Sequence, residues 1–123
     1  MIKVGQIFEV EISIGDVVRD NNTFIDMVIT EWAIVVGNYD SIYNSSFSIN
    51  HDLWAALVYY GGKWQTFCWF LPNSFKTLIC SDEQKGIKTI LEPKNLKNLS
   101  DTLGNSSSVY FNNLAKTFGA TPQ

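Results

Sequence analysis

Three sets of side chains in this chain of 123 residues have the types and spacing that chemistry requires. His51 beside Asp52 has the makings of a general base with an orienting carboxylate, and Cys68 or Cys80 would supply the nucleophile. Neither cysteine lies in a Gly-rich elbow or at a helix start that would activate it. His51 is therefore expected to cap a loop, Cys68 to act as a small buried hydrophobe, and no residue is assigned a catalytic role. Glu9 and Glu11 share one face of a strand, about 7 Å apart. With Asp16, Asp20 and Asp26 they have the chemistry to hold a hard cation or to work as paired carboxylates. The spacing of a metal loop is missing, so neither metal nor cofactor is expected. The third set is the tryptophans 32, 54, 64 and 69, of which at least two are expected in the core and others at a recognition surface.

Charge separates the chain into halves. Residues 1–52 hold eight carboxylates against Lys3 and Arg19, a balance of −6, and the remainder carries +3. Arg19 is the only arginine, which weighs against a phosphate or nucleic-acid site built on guanidinium forks. Two cysteines are too few for a disulfide framework, and the glutamates at 9 and 11 interrupt any signal-peptide core. No apolar run is long enough to span a membrane. A cytoplasmic location without membrane contact is the resulting expectation.

The elements that must position these residues form one domain, mainly β over 1–92 and helical over 93–123. Residues 53–70, LWAALVYYGGKWQTFCWF, read as a central hairpin turning at Gly61-Gly62. A two-residue turn there pairs Tyr59 with Trp64, Leu57 with Thr66, Ala55 with Cys68 and Leu53 with Phe70. It also pairs Trp54 with Trp69 on the opposite face. Residues 6–14, QIFEVEISI, alternate as a strand with one apolar side. Residues 23–36 fit one bent strand or two short ones. Residues 38–52 read as a loop pinned by Tyr39, Tyr43 and Phe47, the simplest place to look for a partner surface. FKTLIC (75–80) reads as a strand, 81–86 as a polar connection, and 87–91 as a last strand or a short helix.

Leucines 96, 99 and 103 then repeat at helical spacing, Gly104 stops that helix in the left-handed conformation, and a serine among 106–108 caps a second one. The fold class is α+β, an antiparallel sheet or small partly open barrel with two C-terminal helices packed on it. The stretch LSDTLGNSSSVYFNNLAKTFGATP is similar to the second helix-turn-helix of AraC-type transcription regulators. Gly104, Tyr110-Phe111 and Gly119-Ala120-Thr121-Pro122 carry the likeness, which covers about a fifth of the chain. Asn113 stands where that family usually has arginine and Ala115 where it has phenylalanine. The resemblance implies DNA contacts by Lys97, Ser107, Ser108, Asn112, Asn113 and Lys116.

The function these features favour is a small non-catalytic binding protein that neutralises or regulates a basic protein partner, as an immunity protein or antitoxin-like or phage-encoded inhibitor does. Glu9, Glu11, Asp16, Asp20, Asp26 and Asp40 would steer the partner, and Tyr39, Tyr43 and Phe47 would anchor it. DNA binding by the helical pair is the alternative, and a small-molecule pocket or enzyme lined by aromatics is the second alternative. Homodimerisation through an unpaired strand edge is a further option.

Overall fold

Alternating apolar residues draw the first half of the chain into a long hairpin, β1 (Ile7–Arg19) against β2 (Thr23–Asn38). The computed structural model describes residues 1–19, 23–44 and 52–118, with the backbone alone for 14–19 and 23–26. Phe8, Val10 and Ile12 of β1 face inward with Ala33 and Val35 of β2. Ile7, Glu9 and Glu11 face the other way, opposite Ile34, Trp32 and Thr30. Residues 23–36 thus form part of one continuous strand.

The central hairpin is β3 (Trp54–Tyr60) with β4 (Lys63–Phe70), and both turn glycines have positive φ, 67° and 79°. Tyr59–Trp64, Leu57–Thr66, Val58–Gln65 and Ala56–Phe67 pair as the two-residue turn dictates. Past Ala56 the register slips, so Trp54 meets Phe70 and not Trp69. A bulge of this kind bends a strand and increases its twist.

The sheet is antiparallel and open, in the order β4-β3-β2-β1-β5, where β5 spans Phe75–Cys80. Its two edge strands follow each other in sequence, joined only by Leu71 and a short 3-10 turn at Pro72–Ser74. Such a short link forces the sheet to curl until Phe70 meets Phe75, with ring centroids 5.5 Å apart. Phe75 in turn lies 5.5 Å from Phe8. The curled interior holds one core, of Phe8, Val10, Ala33, Val35, Ala56, Val58 and Phe75.

The other face of the sheet carries the helices. After α1 (Tyr39–Tyr43) come α2 (Glu83–Ile90), α3 (Pro93–Leu103) and α4 (Ser108–Thr117). Ile87, Ile90, Leu99, Leu103, Phe111 and Leu114 bury against Ile34, Val36, Ala55 and Leu57. Residues 81–86 are more than a polar connection. Asp82 accepts the Gln84 N–H at 3.1 Å and caps α2, which settles 87–90 as helix. Gly104 does end α3 with a positive φ of 88°, but its ψ of 170° is extended and not left-handed helical. Asn98 of α3 accepts from the Thr66 N–H (3.3 Å) and hydroxyl (2.5 Å), covering part of the β4 edge.

Tyr110 ties α4 to the sheet by donating its hydroxyl to the Val36 carbonyl at 2.7 Å. Burial pushes this phenol well above its ordinary value of 10.0. The unfolded chain therefore begins to release this proton as pH rises past the phenol's ordinary value of 10.0, while the folded chain keeps it. Its contribution to stability is whole below about pH 10 and falls as pH rises further, by at most about 1.4 kcal/mol per pH unit. Tyr110→Phe is expected to cost about 1 kcal/mol at neutral pH and to lose this alkaline component. Urea titrations of both proteins at pH 7 and at about pH 11 measure the difference, which should shrink at the higher pH.

Candidate functional site: an acidic and aromatic sheet face

The helices cover only half of the face they pack on. In the covered half, Ile34, Leu57 and Thr66 line up across β2, β3 and β4 under or beside the helical layer. One row further along the strands the cover ends. There Glu9 of β1 pairs with Trp32 of β2, and Tyr59 of β3 pairs with Trp64 of β4. Trp32 and Tyr59 lie one step beyond the Ala33–Val58 pair, so the row is continuous across four strands. The next row holds Glu11 opposite Thr30, and the one after it Ser13 opposite Val28.

Trp32 is 52% exposed, Tyr59 44% and Val28 54%, unusual for large apolar side chains gathered on one sheet face. Trp64 packs against the helix-side core and meets the Tyr59 ring edge-on, with centroids 5.1 Å apart. Between Trp32 and Tyr59 lies an open cavity of about 170 Å³, lined also by Glu9, Thr30 and Glu31. Among the described residues neither Glu9 nor Glu11 has an ion-pair partner, and Lys97 and Asp101 pair with each other at 3.0 Å. Two aromatic surfaces and the Glu9 carboxylate, unpaired among the described residues, thus meet in one concavity.

The residues expected to bind a partner divide between two places. Glu9 and Glu11 lie on this face. Asp16 and Asp26 oppose each other further along the β1–β2 ladder, while Asp20 and Phe47 fall outside the described residues. Tyr39, Asp40 and Tyr43 belong to α1, beyond the far end of β2. Tyr39 lies seven residue steps along the chain from Trp32, roughly 23 Å at about 3.3 Å per step. The expected single surface of strand carboxylates and loop aromatics is therefore split.

The α1 tyrosines have structural employment. Tyr39, Tyr43 and Trp69 form an edge-to-face cluster with centroids 4.8 to 6.0 Å apart. Tyr43 donates its hydroxyl to the Leu103 carbonyl at 2.8 Å, and partial burial raises that phenol. Asp40 sits in the first turn of α1, where its backbone N–H donates to the Asn38 side chain. The aromatic partners of Glu9 and Glu11 are instead Trp32 and Tyr59. Strand alternation puts Trp32 on the face of Ile34 and Val36, and only the extent of the helical cover leaves it exposed.

Of the alternative DNA contacts, four lie together on α4 and two lie outside it. Ser107 is fully buried and its hydroxyl donates to the Gly104 carbonyl at 2.7 Å, so it is removed from any contact set. Lys97 stands on α3, paired with Asp101. Ser108, Asn112, Asn113 and Lys116 are exposed on α4, where Tyr110 and Phe111 turn toward the body. Cys68 is exposed, contrary to the buried role expected of it; it lies in the irregular stretch of β4 between Phe67 and Phe70, on an edge strand of the sheet. Partial desolvation raises its thiol, the opposite of what a nucleophilic thiolate needs. Both cysteines are free, and His51 falls outside the described residues.

Among the described residues no three His, Cys, Asp or Glu side chains gather as a metal site would require. No helix there is long and apolar enough to cross a membrane. Comparison with protein-family models, curated proteins and solved structures gave no match.

Proposed function

We propose that this chain is a small non-catalytic binding protein that neutralises or regulates a basic protein partner, in the manner of an immunity or antitoxin-like inhibitor. The observation that carries this reading is the row Glu9–Trp32–Tyr59, where exposed aromatic rings adjoin a carboxylate that has no counter-charge among the described residues. Recognition surfaces combine these two elements for different purposes. Aromatic anchors supply most of the binding energy, while charge governs the rate and specificity of encounter. The −6 balance of residues 1–52 provides a field to attract a basic partner.

The test is affinity capture from host lysate at low and moderate salt, comparing the native protein with the triple variant Glu9→Gln, Glu11→Gln, Trp32→Ala. A stoichiometric basic protein is expected to bind the native chain in a salt-sensitive way. The variant should bind it at least tenfold more weakly, since one central aromatic anchor alone is commonly worth about 2 kcal/mol. Equal capture by both proteins would place the interface elsewhere.

A further inference from the structure

We infer that the cavity between Trp32 and Tyr59 is a receptor for the guanidinium group of an arginine side chain presented by the partner. This inference rests on the binding-protein reading above and specifies its anchor. The cavity of about 170 Å³ is open to solvent and suits the head of one long side chain. Its lining selects among chemical classes. Glu9, Thr30, Trp32 and Tyr59 share this face and include no cation, so a phosphate or nucleic-acid backbone would meet only repulsion, while Glu31 pairs with Val10 and its side chain belongs to the opposite face. A neutral apolar side chain would leave the Glu9 carboxylate without a partner. A cation satisfies both, because aromatic ring faces carry negative potential and attract positive charge.

Arginine fits better than lysine for three physical reasons. Its guanidinium is planar and stacks on an indole or phenol, and it is less strongly hydrated than an ammonium. Its fork of N–H donors can be shared between a carboxylate and a second acceptor. Here Glu9 lines the cavity beside the Thr30 hydroxyl, and Glu11 occupies the adjacent row opposite Thr30. Among the described residues no cation competes, since neither Glu9 nor Glu11 pairs with one of them. The helical layer ends at this row, leaving the rings accessible to a partner's surface side chain.

The test is a nitrogen-15 NMR titration of the intact chain with hexa-arginine, hexa-lysine and hexa-citrulline peptides. The Trp32 indole signal is assigned by its loss in Trp32→Leu. Hexa-arginine is expected to shift that signal and to bind about fivefold tighter than hexa-lysine, the uncharged peptide leaving it unmoved. Trp32→Leu, at an exposed position that tolerates it, should bring hexa-arginine down to the hexa-lysine affinity. Glu9→Gln with Glu11→Gln should weaken both charged peptides about tenfold. If both peptides bind equally and Trp32→Leu changes neither, the carboxylates act only as a field. The arginine anchor is then overturned while the basic-partner reading stands. Equal binding by the citrulline peptide would overturn both. No shift with any peptide overturns the anchor, and lysate capture then judges the partner reading independently.

Discussion

Gly86→Ala is expected to destabilise the protein by about 3 kcal/mol, even though alanine is the better helix former by about 1 kcal/mol. Gly86 lies in α2 and is buried against the N-terminal turn. A methyl group there would drive into the carbonyl of Gly5, and a methyl on Gly5 would drive into the carbonyl of Glu83. Both obstacles are backbone, so rotation of a flexible side chain cannot relieve them. The turn itself cannot retreat freely. The Gly5 N–H donates to the Val35 carbonyl and the Val35 N–H donates to the Gln6 carbonyl, each at 2.9 Å. Relief must therefore come from lifting α2, which carries Ile87 and Ile90 out of the core. Thermal unfolding should fall by roughly 10–15 °C. Gln84→Ala, exposed in the same helix, serves as control and should change stability by less than about 0.5 kcal/mol. An unaltered melting temperature for Gly86→Ala would mean that α2 does not press on Gly5 in solution.

Leu57→Ala carries the second large effect, about 2–5 kcal/mol. Leu57 has no exposed surface and sits in the middle of the helix-side core, between Ile34 on β2 and Thr66 on β4. Its shortening removes apolar burial and leaves a void between a sheet and a helical layer that cannot both collapse into it. Tyr59 provides the informative contrast, two residues along the same strand and on the same face. Being 44% exposed, it makes its edge-on contact with Trp64 but supports no helix. Tyr59→Ala is expected to cost only about 0.5–1.5 kcal/mol. Urea denaturation of the two variants measures the difference directly, and similar losses would contradict the placement of the boundary between core and exposed face. The division matters for function, because stability and recognition reside on adjacent rows of the same strands. Trp32 and Tyr59 can then be altered to probe binding while the fold persists.

Much of the scaffold was legible locally. Period-two alternation identified the first part of β1, up to residue 14, because Phe8, Val10 and Ile12 must be buried together, which also placed Glu9 and Glu11 on the opposite side; the strand continues to Arg19. The glycine pair at 61–62 set the register of the five pairs nearest the turn. Leucines 96, 99 and 103 marked α3 through their shared helical face, and Gly104 marked its end. The errors have equally local causes. Five residues at 87–91 fit a strand or a helix equally well, and the decision came from the Asp82 cap and from the close approach of Gly86 to Gly5. The pairing of Trp54 with Trp69 failed because a single irregularity past Ala56 shifts the register by one residue, and the turn does not encode it.

The sequence by itself determined which side chains share a face, since alternation and helical spacing are properties of the backbone. Only the tertiary structure decided which shared face stays open. Trp32 and Leu57 both belong to the face that receives the helices, yet one is buried and the other is half exposed. That difference depends on where α2, α3 and α4 land across β2–β4, and on α1 drawing Tyr39 and Tyr43 onto Trp69. These are contacts between distant segments. The same residue type is an anchor or a core filler according to what covers it, and no local pattern encodes the cover.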